Sequence, residues 1–307
     1  MTMLRRNAPN AILLTIAAAV AAVWLTPLPR QTGVFSVTVL DVGQGDAIVL
    51  RTPAGHVLIV DAGRTLGSDD EGRRVVLPYL RSQGIRRVNA LLLTHPDDDH
   101  VGGAVSILDR IPVDRLIVSP IRSAAWHYLR AIRTARRRGI PILQVVRGNI
   151  IRFHDGVTAQ VLNPPADPSK HGELRDNSLS IVMRVQYGAT ACLLTGDADL
   201  PAERDMLASG VPLRAEVLKL GHHGSKSSSS DAFLDAVRPR IAIVSAGLHN
   251  SFGHPHPEVL TRLQARRIAV YRTDYQGAIR AISNGKQWRV STSTAIGAPA
   301  GTASGTP

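Results

Sequence analysis

The sequence predicts an α/β protein of two strand-rich halves that share one chemical site. Three observations carry this expectation. Short apolar runs of strand length alternate with helical patterns along most of the chain. The run Ala90–Leu93 is followed at once by His95, Asp97, Asp99 and His100. Asp197 and His222 each stand one or two residues past another apolar run, and strand C-termini are where α/β folds place ligand sites.

Taken in order, residues 1–30 read as a targeting segment. Arg5 and Arg6 precede an apolar run from Ala11 to Leu25 and then Thr-Pro-Leu-Pro, the pattern of a secretory signal peptide or, uncleaved, of a membrane tether through residues 11–27. The arginines hold the N-terminus on the cytoplasmic side, so the rest is expected to be exported, as a periplasmic, secreted or membrane-anchored protein. Residues 31–292 are expected to form one domain, and the Ala, Gly, Thr, Ser and Pro tail at 293–307 to be disordered.

Strands are expected at 34–41, 46–51 and 56–61, a polar loop at 64–72, and an amphipathic helix around Val75–Leu80 that stops near Gly84. After Ala90–Leu93 come a helix at 101–110, a strand at 116–118 and a helix at 123–138 closed by Gly139 and Pro141. Strands follow at 141–146, 150–153 and 157–162, then a polar loop to Asn177 and a hairpin of strands 178–186 and 190–195. The remainder reads as a helix to Ser209, a strand at 214–220, a helix at 231–237, a strand at 240–245, a helix at 257–266 and strands at 268–272, 277–283 and 287–292.

The composition bounds the chemistry. In 307 residues, 36 Lys and Arg oppose 24 Asp and Glu, a net charge of +12 that favours polyanionic partners. The single cysteine, Cys192, excludes an intrachain disulfide. Arg130, Arg133 and Arg137 fall at i, i+3 and i+7 of one helix, either a phosphate-contacting stripe or a solvated face.

His95, Asp97, Asp99 and His100 are too many costly groups for one strand end to serve packing. Imidazole nitrogen and carboxylate oxygen are ligands for divalent zinc or manganese. In extended geometry His95, Asp97 and Asp99 share one side, and Gly102 and Gly103 let a helix start close by. In Asp41-Val-Gly43-Gln44-Gly45-Asp46, hairpin turning accounts for the glycines but not for acids at 41, 46 and 61. Ser225 and Lys226, in a Gly-Ser-Lys-Ser-Ser run, form a phosphate cradle or a plain Ser-rich linker. His254, within Gly-His-Pro-His-Pro, is a candidate proton donor to a leaving oxygen.

The spacing from His95 to His100 resembles the His-x-His-x-Asp-His signature of the metallo-β-lactamase fold, with Asp97 in place of the second histidine. Leu-Asp-Val-Gly-Gln-Gly-Asp-Ala, Asp-Ala-Gly at 61–63, Asn177-Ser178, Gly253-His-Pro-His-Pro and Thr273-Asp-Tyr-Gln-Gly-Ala extend the likeness across residues 34–292. Together they resemble the soluble hydrolase domain of the ComEC family of DNA-uptake proteins and, more distantly, phosphorylcholine esterases.

The resemblance implies a four-layer αβ/βα sandwich of two mixed sheets and two divalent ions, Zn2+ or Mn2+. In a two-metal hydrolase a shared carboxylate joins the ions. Asp197 is expected to be that bridge, with His95 and Asp97 serving mainly one ion and Asp99, His100 and His222 the other. Of the adjacent His222 and His223, one is expected to ligate and the other to point elsewhere, toward the groups around the ligands or toward substrate; His222 is taken as the ligand, and His223 is expected to share the catalytic work with Asp99 and His254. Gln44, Asp46, Asn177, Ser225, Lys226 and Asp274 are expected at the substrate. The activity implied is hydrolysis of DNA or another phosphodiester outside the cytoplasm. The alternatives are a phosphorylcholine-esterase-like small phosphodiesterase and a non-catalytic surface DNA-binding module. No protein partner is inferred.

Overall fold

A computed structural model describes residues 33–167 and 176–294. The expected targeting segment with its tether, most of the polar loop before Asn177 and nearly all of the expected tail lie outside the described residues. Among the described residues no helix is long and apolar enough to cross a membrane.

The first half runs β1 (Phe35–Val39), β2 (Ile48–Arg51), β3 (Val57–Val60), β4 (Thr65–Leu66), β5 (Asp69–Asp70), a π-helical turn Gly72–Val76 leading into α1 (Leu77–Ser82), and β6 (Ala90–Leu93). It continues with α2 (Asp98–Val101), α3 (Ala104–Arg110), β7 (Leu116–Val118), α4 (Trp126–Arg137) and β8 (Ile142–Gln144). The second half contains β9 (Ile150–Arg152), β10 (Val157–Asn163), β11 (Val182–Tyr187), β12 (Thr190–Leu194), α5 (Leu200–Ala208), β13 (Val217–Lys219), α6 (Asp231–Val237) and β14 (Ile241–Val244). It closes with α7 (Pro257–Ala265), β15 (Ala269–Arg272), α8 (Thr273–Gln276), β16 (Ile279–Ser283) and β17 (Trp288–Thr292).

Two large mixed sheets result. One has the order β17-β16-β1-β2-β3-β6-β7-β8 and the other β15-β14-β13-β12-β11-β10-β9. Each is antiparallel on one side and parallel on the other, β3-β6-β7-β8 and β12-β13-β14-β15 being the parallel parts.

Side-chain alternation divides the interior into three apolar layers. Val37, Leu50, Leu58, Leu92, Ala159, Val185, Leu194 and Val217 pack between the sheets. Ile59, Leu91 and Leu93 face the other way, onto Leu80, Ile107 and Ala131 of the first helical layer. Leu193, Leu218 and Val244 meet Met206, Phe233 and Leu263 of the second. Because both faces of these strands are covered, they read in sequence as unbroken apolar runs. The expected four-layer αβ/βα sandwich is thus borne out.

Some element boundaries differ from expectation. The loop expected at 64–72 contains the small β4–β5 hairpin. The strand expected from 178 begins at Val182, after a 3₁₀ turn at Asp176–Leu179. The buried Asn163 side chain holds that turn, donating to the carbonyls of Ser178 (2.8 Å) and Ser180 (2.7 Å). The helix expected at 101–110 is two helices joined at Gly102-Gly103, where a side chain on Gly103 would strike the Ala62 carbonyl at 2.2 Å.

The Gly-Gln-Gly turn packs against the metal-motif loop. A Cβ on Gly45 would lie 2.3 Å from the Asp99 carbonyl oxygen, and Gly45 has φ +133°, whereas Gly43 has φ +66° and open space around it. Asp46 N–H donates to that same carbonyl at 3.1 Å. Gly43→Ala should cost only the left-handed backbone penalty, about 1–2 kcal/mol. Gly45→Ala adds a clash with immobile backbone and should cost about 2–3 kcal/mol more, read as a larger fall in urea midpoint.

Candidate metal centre

The parallel pairs β3–β6 and β12–β13 bring their C-terminal ends to one edge of the sandwich, and the residues just beyond them form the site. Asp61, after β3, has left-handed backbone with φ 61°. Its buried carboxylate accepts from Thr94 N–H (2.8 Å) and the Thr94 hydroxyl (2.7 Å), and faces His100 Nδ1 at 2.8 Å. His223 Nδ1 donates to the Ser245 carbonyl at 2.9 Å, and His95 Nδ1 faces the Thr94 hydroxyl at 3.0 Å. With each Nδ1 so engaged, the Nε2 atoms turn inward, the arrangement that orients imidazole ligands.

Asp197 is the point of convergence. Its Oδ1 lies 3.2 Å from His100 Nε2. Its Oδ2 lies 3.9 Å from His95 Nε2, 3.8 Å from His222 Nε2 and 3.5 Å from His223 Nε2. Asp99 Oδ2 is 3.2 Å from His223 Nε2 and 3.9 Å from His100 Nε2, and Asp97 Oδ2 is 3.5 Å from His95 Nε2. Ligand atoms of Asp99, His100, Asp197 and His223 all fall within 4.8 Å of one another. His95 Nε2, His100 Nε2, His223 Nε2 and Asp197 Oδ1 are buried without a hydrogen-bond partner, polar atoms that a bound cation would satisfy. The donors therefore fit a dinuclear centre of divalent ions.

His222 and His223 both reach Asp197 because both adopt left-handed backbone, φ 47° and 54°. In an extended strand, adjacent side chains would have parted. His223, the one of the pair not taken as the ligand, thus stands among the ligand atoms, while His222 is the more exposed of the two and has Nδ1 at 3.2 Å from the Ser227 hydroxyl.

The electrostatics follow from this crowding. Burial opposes charge on Asp197, but His223, His100 and His95 around it hold its carboxyl well below the usual range. Burial likewise opposes ionisation of Asp99, and His100 and His223 override it. Burial would depress His223, yet Asp197, Asp46 and Asp99 push it up to about 9, and His100 is raised well above its ordinary value by Asp197, Asp61 and Asp99. His254 goes the other way: burial, then His222 and His223, lower it to about 4. At neutral pH its ring is then uncharged, a hydrogen-bonding group beside His222 and His223.

The structure gathers His95, Asp97, Asp99, His100, Asp197, His222 and His223, with His254 adjoining at ring-centroid distances of 5.5 Å to His222 and 6.3 Å to His223. The residues expected at the substrate are more scattered. Asp46 is fully buried behind His223, its Oδ2 2.5 Å from Lys219 Nζ, and is held down to about 2: burial opposes this, but Lys219 and His223 prevail. That ion pair removes Asp46 from contact with a substrate. Gln44 is also buried and accepts from Gly247 N–H at 3.3 Å. Asp274 is spent on a two-pronged pair with Arg272, at 3.0 and 2.6 Å. Asn177 lies half-buried in the 3₁₀ turn, and its carbonyl caps Ser180 N–H. Ser225 bonds the Ser227 hydroxyl at 2.9 Å, and Lys226 is exposed.

Sequence reasoning noted Asp61 only as an unexplained acid and passed over Thr94 and Lys219. A lysine inside the apolar run Val-Leu-Lys-Leu was the available signal for a buried pair.

Two outcomes follow for metal binding. Asp197→Ala should lose both equivalents of bound metal, read by elemental analysis. Protons and cations compete for the same nitrogens. The raised His223 imidazole stabilises the ion-free fold fully below its ordinary value near 6.5, and that contribution fades as the pH climbs through about 9. Cation uptake displaces those protons, so apparent Zn2+ or Mn2+ affinity should climb from pH 6 toward 9, by about tenfold per unit for each proton released. A flat affinity profile over that range contradicts the assignment.

Comparison with known proteins agrees with this geometry. The family model described as the metallo-beta-lactamase superfamily matches residues 40–248. ComE operon protein 3 of Bacillus subtilis (strain 168) is 36% identical over 258 residues, covering 80% of this chain and 32% of that protein. Competence protein ComA of Neisseria gonorrhoeae is 35% identical over 246 residues, covering 80% of this chain and 32% of that protein. The chain thus spans about a third of the length of these curated relatives. Among solved structures, a CmlA beta-hydroxylase E377D mutant superposes with a TM-score of 0.51 at 16% identity, covering 87% of this chain and 56% of that one, a likeness of fold. With its sandwich and its ligand-bearing strand ends, the chain belongs to the metallo-beta-lactamase superfamily, where it resembles the ComEC competence proteins.

Proposed function

We propose that the protein is a metal-dependent phosphodiesterase acting on DNA outside the cytoplasm. The observation that supports this most is a carboxylate-rich dinuclear site with one open side next to an arginine-bearing helix. His95 and His100 are fully buried, whereas the side chains of Asp97, Asp99 and His222 keep 48%, 31% and 30% of their exposure. α4 abuts the motif through His127 Nε2, 3.4 Å from Asp98 Oδ1, and presents Arg130, Arg133 and Arg136 to solvent. Arg137, the third member of the expected stripe, is shared with Asp109 at 3.4 Å.

Zinc or manganese ions at this site supply Lewis acidity toward phosphoryl oxygens and lower the pKa of water. Carboxylate oxygens at Asp97, Asp99 and Asp197 suit manganese as well as zinc. Asp99, on the open side, is the protein group positioned to take a proton from the attacking water. Neutral His254 hydrogen-bonds the leaving oxygen, and the exposed ammonium of Lys226 faces the incoming polyanion. The export pattern at 1–30 and the competence relatives support action on the far side of the membrane.

The test is turnover of single- and double-stranded DNA, bis-p-nitrophenyl phosphate and nitrocefin, each with Mn2+ or Zn2+. Diester cleavage is expected, with at least about a 100-fold loss in Asp197→Ala. Nitrocefin hydrolysis alone overturns the reading, and DNA binding without turnover replaces it with the binding module. Replacing Arg130, Arg133 and Arg136 with alanine should weaken DNA binding and flatten its salt dependence by roughly 0.7–0.9 log units per lost phosphate contact. Cleavage of the small diester should change little.

A further inference from the structure

We propose that Phe252 is a stacking platform for the nucleobase beside the scissile phosphate, so that the preferred substrate is an unpaired strand; this rests on the phosphodiesterase reading above. Four rings lead from the buried ligands to solvent. His100 and His223 have centroids 5.3 Å apart, His223 and His254 6.3 Å, and His254 and Phe252 5.7 Å. The last pair is nearly parallel, with 22° between planes. Phe252 ends this ladder 66% exposed, its phenyl ring backed by an imidazole and open to solvent.

The loop that carries the ring is also tied down. Asn250 Oδ1 accepts from His254 N–H at 2.9 Å, and Asn250 Nδ2 donates to the carbonyls of Gly247 (2.9 Å) and His254 (2.6 Å). His256 N–H donates to the Gly224 carbonyl at 2.8 Å, and Gly224 lies so close to Pro255 that a Cβ there would meet it at 2.7 Å. The loop is thereby tied to the His222-His223 turn, with the ring stacked on His254 between that turn and solvent. A flat apolar face at a set distance from a phosphate-cleaving centre, in a chain of net charge +12, suits a nucleoside: the phosphate is drawn to the cations and the base to the ring. A base inside a duplex has both faces covered by its neighbours and must leave the stack before it can lie on a phenyl ring.

The experiment uses the full chain with Mn2+ and three substrates: a single-stranded oligonucleotide, the same oligonucleotide with abasic residues, and its duplex. The readout is kcat/KM for each, in the wild type, Phe252→Ala and Phe252→Trp. The wild type should favour the base-bearing over the abasic strand by about tenfold, mostly through KM, and should cleave the duplex least. Phe252→Ala should collapse the base-to-abasic ratio toward one, and Phe252→Trp should restore it. An unchanged ratio in Phe252→Ala, an equal loss on both strands, or duplex cleavage as fast as single-strand cleavage overturns the platform and leaves the phosphodiesterase reading standing. No cleavage of any diester by the wild type removes that reading, and the platform with it.

Discussion

The Asp197 carboxylate, withdrawn from water between the two halves, is the constraint on which the rest of the site depends. A buried anion is costly unless opposite charge or hydrogen-bond donors surround it. Here His95 and His100 come from the first half and His222 and His223 from the second. The apolar layer between the sheets sets how closely the halves approach, and the site is where that approach brings polar ends together. Packing and chemistry are therefore coupled: a change in the inter-sheet layer alters the spacing of the ligands.

Around this centre, a second set of contacts fixes which atom each imidazole presents. Asp61 serves His100 and Thr94 at once, and Ser245 serves His223. Asp61, His222 and His223 all sit in left-handed backbone, a conformation that is sparsely populated for non-glycine residues and gathers at functional sites. The surrounding hydrogen bonds hold these residues in that geometry. Behind His223, the Asp46 carboxylate lies 3.5 Å from the ring Nδ1 and is itself paired with the buried Lys219. Asp46 thereby has a partner of its own in a region already dense with carboxylates.

The open side carries a different balance. α4, with its exposed arginines, meets the metal motif through His127 and Asp98, and the exposed ring of Phe252 stacks on His254 beside His222, while each acid expected to contact substrate, Asp46 and Asp274, is tied to a cation of the protein itself. The curated relatives are about three times as long as the matched segment, which is thus one part of a longer chain in them.

The sequence by itself determined the fold class, the alternation of strands and helices, and the residue types that gather at strand ends. These follow from local patterns: apolar runs buried on both faces, and ligands spaced within six positions from His95 to His100. Only the tertiary structure decided which partner each polar group found. Ser245 reaches the Gly45 carbonyl across 200 positions, and Gln44 meets Gly247 across 203. Lys219 meets Asp46, and Arg137 meets Asp109, for the same reason. The turn that points both His222 and His223 inward depends on backbone angles that residue spacing does not reveal. Local periodicity is written within a few residues, whereas the pairing of buried charges is settled by the approach of distant segments, and there the physical need to neutralise each charge selects the partner.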